Sequence, residues 1–297
     1  MHILVTGSRG FIGSGLVPSL TASGHRVTRL VRSAAQSGAI HWDPATGSVD
    51  AASLEGLDAV VHLAGENVAT GRWTANKKQR IYDSRVKGTR LLSEALSKLS
   101  RPPQTLVCAS AIGYYGNRGE EKLTEESAIG SGFLADVCRD WEAASASAME
   151  RGIRVVRLRF GVVLSPAGGP LRLMLPPFKM GLGGWLGSGT QYFSWIALDD
   201  VLGVIHHALT TRDLQGPVNT VSPNPVTNRE FSTILARALS RPCLLPAPAF
   251  ALRLALGEMA DEALLSSERV IPSKLLAIGY TFRFPTLEAA LRHLLNQ

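Results

Sequence analysis

Gly7, Gly10 and Gly13 stand in "VTGSRGFIG", directly behind the apolar run "HILVT" and ahead of a helix-forming stretch. Glycine at these positions permits a tight strand-to-helix turn. It also lets a pyrophosphate approach the free N–H groups at the helix start. Arg9, Phe11 and Ile12 belong to the same turn and are read with it as cofactor-contacting positions. The end of the next strand, "TRLVRS", indicates which dinucleotide. A free ribose 2′-hydroxyl is usually held there by an acidic residue, and this chain offers Arg29, Arg32 and Ser33 instead. A guanidinium pairs with a 2′-phosphate, and a charged hydrogen bond contributes roughly 1.5–3 kcal/mol. The residues therefore favour NADP(H), with Arg32 and Ser33 at the phosphate; the alternative is that one of these arginines is a solvated strand end.

Two further arginines sit where a fold ordinarily wants apolar groups. In "KKQRIYDSRVKGTRLLSEALSKL", Ile81, Arg85, Gly88, Leu92, Leu96 and Leu99 recur at three- and four-residue steps, so Arg85 falls on or beside the packing face. A buried guanidinium needs a partner. A bound pyrophosphate or ribose would supply it, and a protein carboxylate is the structural alternative. Arg159, in "RVVRLRFGVVL", lies near the carboxyl end of its strand, where ligands bind in such sheets. It is read as a cofactor-site residue, weighed evenly against a structural ion pair.

The elements that must position these groups follow from the pattern of the chain. "HILVT", "HRVTRLV", "DAVVHLAG", "QTLVCAS" and "IRVVRLRFGVVL" are strand-length apolar runs with room for a crossover helix between most of them, and "PVNTVSP" is a late candidate. This order predicts an α/β fold, a Rossmann-type doubly wound parallel sheet covered on both faces. After about residue 165 the chain becomes rich in Gly and Pro, then helical. The expected division is a dinucleotide-binding domain over 1–164, with 198–222 returning to it, and a smaller, mainly helical substrate lobe from 165–197 and 223–297. Met174, Phe178, Trp185 and Trp195 are expected to line an apolar pocket there, unless the tryptophans simply pack the lobe together.

Composition excludes several classes. With 297 residues, 45% hydrophobic and 19% charged, the chain describes a globular protein. Cys108, Cys138 and Cys243 are far apart and lack metal-ligand spacing, so neither a disulfide framework nor a metal site is expected. The opening strand does not resemble a secretory signal, and "PAPAFALRLALGEMADEALL" is interrupted by Arg253, Glu258 and Asp261, so membrane insertion is not expected and the cytoplasm is the expected location. The net charge of +7 is scattered rather than gathered into a patch, which argues against nucleic acid as a partner. A small-molecule substrate is the expected partner, and a homo-oligomer is compatible with the sequence.

The Gly-x-x-Gly-x-x-Gly spacing, "LAGENV" and "SAIGYYG" resemble the extended, epimerase-like branch of the short-chain dehydrogenase/reductase superfamily. The ordered set "HLAGENV…RWT…SRVKGTR", "GFLADVCRDWE", "RFGVVLSPAGGPL", "FKMGLGGWLGSGTQYFSWIALDD" and "GPVNTVSPNPVTNREF" covers nearly the whole chain. It is similar to atypical family 39 of that superfamily, some of whose members are labelled cell-division inhibitors. The resemblance implies NADP(H) binding, with Leu63, Ala64 and Gly65 beside the cofactor and Gly161 and Val162 where the backbone approaches the nicotinamide. It brings no established substrate. Ala197 stands where the family usually has histidine in "SWIHIDD".

The superfamily's Tyr-x-x-x-Lys pair is replaced here by Phe133 and Val137, as is common in this family. Phenylalanine has no proton to transfer, so the usual mechanism is absent. The substitutes read from the sequence are Ser110, at or one residue before the superfamily's serine position, and Tyr114 and Tyr115. A tyrosine, with an ordinary pKa near 10, would need a neighbouring cation to serve at neutral pH. Arg85, Lys87 or Arg159 is expected to supply that charge; the alternative is an aromatic pair shaping the pocket. Glu142 is expected to face solvent or an arginine. The function expected is an NADP(H)-dependent oxidoreductase or epimerase acting on a small carbonyl or hydroxyl substrate, or else a non-catalytic NADP(H)-dependent sensor.

Overall fold

A computed structural model describes residues 1–32 and 38–296. The expectation for Ser33 lies outside the described residues. The first half runs β1 (His2–Thr6), α1 (Phe11–Ala22), β2 (Arg26–Val31), β3 (Ala39–Asp43), β4 (Ser48–Val49), β5 (Ala59–His62), α2 (Ala75–Ser97) and β6 (Thr105–Ala111). It continues through β7 (Lys122–Leu123), α3 (Phe133–Ala143), α4 (Ala146–Glu150), β8 (Arg154–Phe160) and β9 (Val162–Leu164). The second half runs α5 (Gly169–Lys179), β10 (Tyr192–Phe193), β11 (Trp195–Ala197), α6 (Leu198–Thr210), β12 (Gly216–Thr220), β13 (Val226–Thr227) and α7 (Asn228–Ala238). Then come α8 (Ala249–Leu256), β14 (Arg269–Val270), α9 (Ser273–Ala277) and α10 (Leu287–Leu294).

Eight strands form one sheet in the order β12-β8-β6-β5-β1-β2-β3-β4, parallel throughout except that β4 runs antiparallel to β3. Successive side chains of a strand face opposite ways, and β1 shows why its run is apolar at every position. Ile3 and Val5 join Leu16 of α1 and Val201 and Val204 of α6, whereas Leu4 joins Leu92 and Leu96 of α2 on the other face. Helices on both sides of a parallel sheet leave no solvated face for polar residues. This is the doubly wound α/β fold.

The stretch "IRVVRLRFGVVL", expected as a single strand, is divided at Gly161. There the chain leaves the sheet as β9 and pairs with β11. A side chain at Gly161 would put Cβ 2.5 Å from the Ser194 carbonyl oxygen and 2.6 Å from Val221, so only glycine lets these three segments meet. Past the break, Leu164, Leu171, Phe178, Trp195, Ala197, Phe231, Leu235 and Leu291 form a separate apolar core for the lobe. Trp195 and Phe178, expected on a pocket wall, are buried inside that core. Ala197, where the family usually carries histidine, is fully buried with them. Among the described residues no helix is long and apolar enough to cross a membrane.

Candidate active site

The carboxyl end of β1 turns into α1 through a cradle whose shape is fixed by backbone. Gly7 has φ +63°, and a Cβ there would lie 2.7 Å from the Leu63 carbonyl. A Cβ on Gly13 would lie 2.2 Å from the Gly7 oxygen, and Gly10 donates its N–H to that same oxygen at 2.8 Å. No side chain caps α1, so its N-terminal N–H groups face outward as an anion site. Ser8 adds a buried hydroxyl without a hydrogen-bond partner among the described residues. An orphaned hydroxyl and open amides in a cradle that no side chain could share fit a pyrophosphate. The ring of Phe11 packs on Gly168 and Gly169, tying the cradle to the start of α5.

A buried polar relay holds the neighbouring loop. Thr6 Oγ1 accepts the N–H groups of Leu63 and Ala64, both at 3.1 Å, so its own hydrogen is directed to His62 Nδ1 at 2.7 Å. The proton of the imidazole is thereby assigned to Nε2, which donates to Thr89 at 3.0 Å; Trp141 Nε1 donates to the same hydroxyl. Burial pushes the His62 pKa down to about 4, so the ring is neutral. His62 and Thr89 escaped the sequence reading, although "VVHLAG" displays a histidine inside an apolar run.

The arginines separate into two kinds. Arg85 donates to the Glu66 and Ile81 carbonyl oxygens at 2.9 and 3.3 Å and lies over the Trp141 ring. Among the described residues no carboxylate pairs with it. Protein surrounds its guanidinium, yet the side chain keeps partial solvent access, as it would on the floor of a cleft beside Gly65. Arg32 is exposed at the end of β2. Glu66 is held instead by Lys77 at 2.7 Å, with Arg80 more distant at 3.8 Å.

Arg159 has the structural partners that were weighed against a cofactor role. Its Nε and Nη2 reach both Glu142 oxygens at 2.7 and 3.0 Å, and Nη1 donates to the Tyr115 hydroxyl at 2.9 Å. All three residues are buried. Ser110 donates to Glu142 at 2.8 Å, and Tyr115 donates to Asn219 Oδ1 at 2.7 Å. Tyr114 lies half-buried, with its ring 3.5 Å from the Arg159 guanidinium carbon and edge-on to Tyr115.

This network corrects the expectation that a cation would make Tyr115 an acid–base group at neutral pH. Burial outweighs the attraction of Arg159 and pushes the phenol up to about 12. The fully buried ring with both hydroxyl functions engaged is a strut. Ser110 is likewise 2% exposed and committed to Glu142.

The helix that would carry the usual Tyr-x-x-x-Lys pair is α3. Phe133 packs edge-on against Trp73 in a cluster with Val137, Met259 and Leu256, and Lys78 lies over its ring. Glu262, from the lobe, accepts the N–H groups of Phe133 and Leu134 at 3.2 and 3.1 Å and caps the helix. Gly132, at φ +113°, leaves the space that this carboxylate fills. Six residues on, the Glu268 carboxyl accepts one hydrogen bond among the described residues, from Ser266 at 3.2 Å. Burial, reinforced by the charge of Glu262 and only partly offset by Ser266, pushes Glu268 up to about 7. Burial and the Glu142 charge push the Cys138 thiol up to about 12, which removes it as a nucleophile at neutral pH. A cavity of about 410 Å³ lies between the loops 117–120 and 187–191, lined also by Arg253 and Ser267.

Comparison with known proteins places this geometry. The model of the NAD dependent epimerase/dehydratase family matches residues 3–221, and a domain of unknown function, DUF1731, matches residues 247–294. An epimerase family protein of Mycobacterium bovis is 47% identical over 97% of this chain and 96% of its own length. Epimerase family protein SDR39U1 of Homo sapiens is 38% identical over 99% of each chain. The crystal structure of human SDR39U1 (isoform 2) with NADPH superposes with a TM-score of 0.92 at 37% identity and covers all of both chains. The chain belongs to the NAD dependent epimerase/dehydratase family, in the atypical extended short-chain branch that includes SDR39U1.

Proposed function

We propose that this protein binds NADP(H) and acts as an epimerase-like oxidoreductase on a small carbonyl- or hydroxyl-bearing substrate. The observation that carries the reading is the cradle, in which a buried Ser8 hydroxyl, unpartnered among the described residues, and uncapped α1 amides surround a space closed to any Cβ. In this reading Gly7, Arg9, Gly10, Phe11, Ile12 and Gly13 hold the pyrophosphate, and Arg32 pairs with the 2′-phosphate. Leu63, Ala64, Gly65 and Arg85 flank the dinucleotide, and Gly161 and Val162 border the nicotinamide. The NADPH held by human SDR39U1 supports the choice of cofactor. When bound, the cofactor supplies or accepts a hydride. The polar lining of the cavity near Asn117, Ser188, Gln191 and Arg253 suits a hydroxylated substrate.

Titration with NADPH and NADH, followed by cofactor fluorescence, tests this directly. Tighter binding of NADPH is expected. Equal or reversed affinity removes Arg32 from the phosphate, and binding of neither dinucleotide overturns the reading. One observation favours a second reading, an NADP(H)-dependent sensor: Phe133 and Val137 fill the usual acid–base positions with apolar packing. A panel of aldehydes, ketones and nucleotide sugars, monitored at the NADPH absorbance band, separates the two. Turnover establishes the oxidoreductase, whereas tight binding without turnover supports the sensor.

A further inference from the structure

We propose that Glu268, contributed by the C-terminal lobe, is the proton-carrying group of this site and takes the place of the absent tyrosine. The inference rests on the NADP(H) reading above and deepens it.

The placement of Glu268 carries the argument. Its carbonyl oxygen accepts the Ser194 hydroxyl at 2.6 Å, and the same hydroxyl accepts the Val270 N–H at 2.9 Å, which pins residues 268–270 to Ser194. The Ser194 carbonyl in turn accepts the Val162 N–H at 2.8 Å and closes against Gly161, the backbone assigned to the nicotinamide. The charge of Glu268 also reaches α3, where it acts on Cys138, the neighbour of Val137, and Glu262, which acts on Glu268, caps that helix at Phe133. The segment that bears the carboxyl thus links the strand break at Gly161 to the helix from which the usual acid would project.

Its surroundings suit the task. Protein crowds Glu268 on all sides, yet the residue keeps partial solvent access, so protons can be replenished. Among the described residues no cation pairs with it. The groups that act on it are Ser266 on its own segment and Glu262 before it; on α3 its charge reaches Cys138, where Glu142 and Arg85 act more strongly. Burial and the Glu262 carboxylate hold its pKa near 7, where a group both gives and takes a proton at neutral pH. In the reductive direction hydride passes from the reduced nicotinamide to the carbonyl carbon, and the C=O π pair moves to oxygen. The Glu268 proton passes to that oxygen, giving an alcohol, oxidised cofactor and a Glu268 carboxylate that solvent reprotonates. Oxidation runs the same transfers in reverse.

Proton-linked calorimetry tests this without a known substrate. NADP⁺ and NADPH share every phosphate and differ by the positive nicotinamide ring. Binding at pH 7 in buffers of different ionisation enthalpy therefore isolates groups that feel that ring. Wild type should release more protons with NADP⁺ than with NADPH, by up to about 0.5 per site for a half-protonated group. Glu268→Gln should bind both dinucleotides and lose the difference. No difference in wild type, or one that survives in Glu268→Gln, overturns the proposal while leaving NADP(H) binding intact. Binding of neither dinucleotide overturns both. A second measurement needs no variant: ¹³C NMR of glutamate-labelled wild type should show one carboxyl titrating near pH 7 that moves to lower pH with NADP⁺, and its absence overturns the assignment. For any substrate turned over, Glu268→Gln should lower kcat about 10²–10⁴-fold with NADPH affinity little changed.

Discussion

A guanidinium whose acceptors among the described residues are two backbone carbonyls carries a charge that they leave for something else to meet. Arg85 is that group, whereas Arg159 already has Glu142. The two arginines should therefore respond differently to change. Arg85→Ala should weaken NADPH binding about 10- to 100-fold, the value of one charged hydrogen bond, with the melting temperature of the apoprotein little changed. Unaltered affinity, measured by fluorescence titration, would return Arg85 to a structural role. Glu142→Ala should instead destabilise the fold by about 3–5 kcal/mol in denaturant titrations, because it strands the Arg159 charge in the interior. Ser110→Ala removes one neutral donor from the same carboxylate and should cost only about 1 kcal/mol. If Glu142→Ala were as mild, the pair would contribute no more than a surface bridge.

At the scale of elements, α3 shows how the lobe governs a helix of the nucleotide-binding half. Its N-terminus has no cap of its own, since Gly132 precedes it; Glu262 serves from 128 residues away. Glu262→Ala should destabilise the protein by about 1 kcal/mol, as cap removal does. Glu262→Gln keeps an acceptor but removes the charge, so the Glu268 carboxyl followed by NMR should titrate at lower pH; an unmoved titration would break the electrostatic link between them. The contrast in legibility is physical. The glycine cradle is readable because positive φ and close backbone approach demand glycine at fixed spacing, and Arg85 because the 3.6-residue period puts it beside the packing face. Strand alternation likewise exposes the doubly wound sheet. Gly161 looked like a residue within one strand because the clash that splits it involves Ser194 and Val221, far along the chain. Glu262 and Glu268 bear no local mark, since cap and buried carboxyl arise only when the lobe closes on α3.

For the whole molecule, His62 and Glu268 contribute opposite slopes to the pH dependence of stability. His62 has a folded pKa near 4, below its unfolded value near 6.5, so folding releases a proton between those limits and stability rises with pH. Glu268 has a folded pKa near 7, above the ordinary 4.5, so folding takes up a proton over that range and stability falls as pH rises. From about pH 4.5 to 6.5 the contributions of these two groups oppose each other. Glu268→Gln removes only the second slope. The difference in unfolding free energy between variant and wild type should therefore stay constant below about pH 4.5, grow in favour of the variant through neutrality, and level off above pH 7. Its total change is at most about 3 kcal/mol, the free-energy equivalent of moving a carboxyl from 4.5 to about 7. Urea titrations at half-unit pH steps measure it. A difference that stays constant from pH 4 to 8 would mean that Glu268 titrates as an ordinary carboxylate, and the lobe would then contribute packing and the α3 cap but no proton carrier.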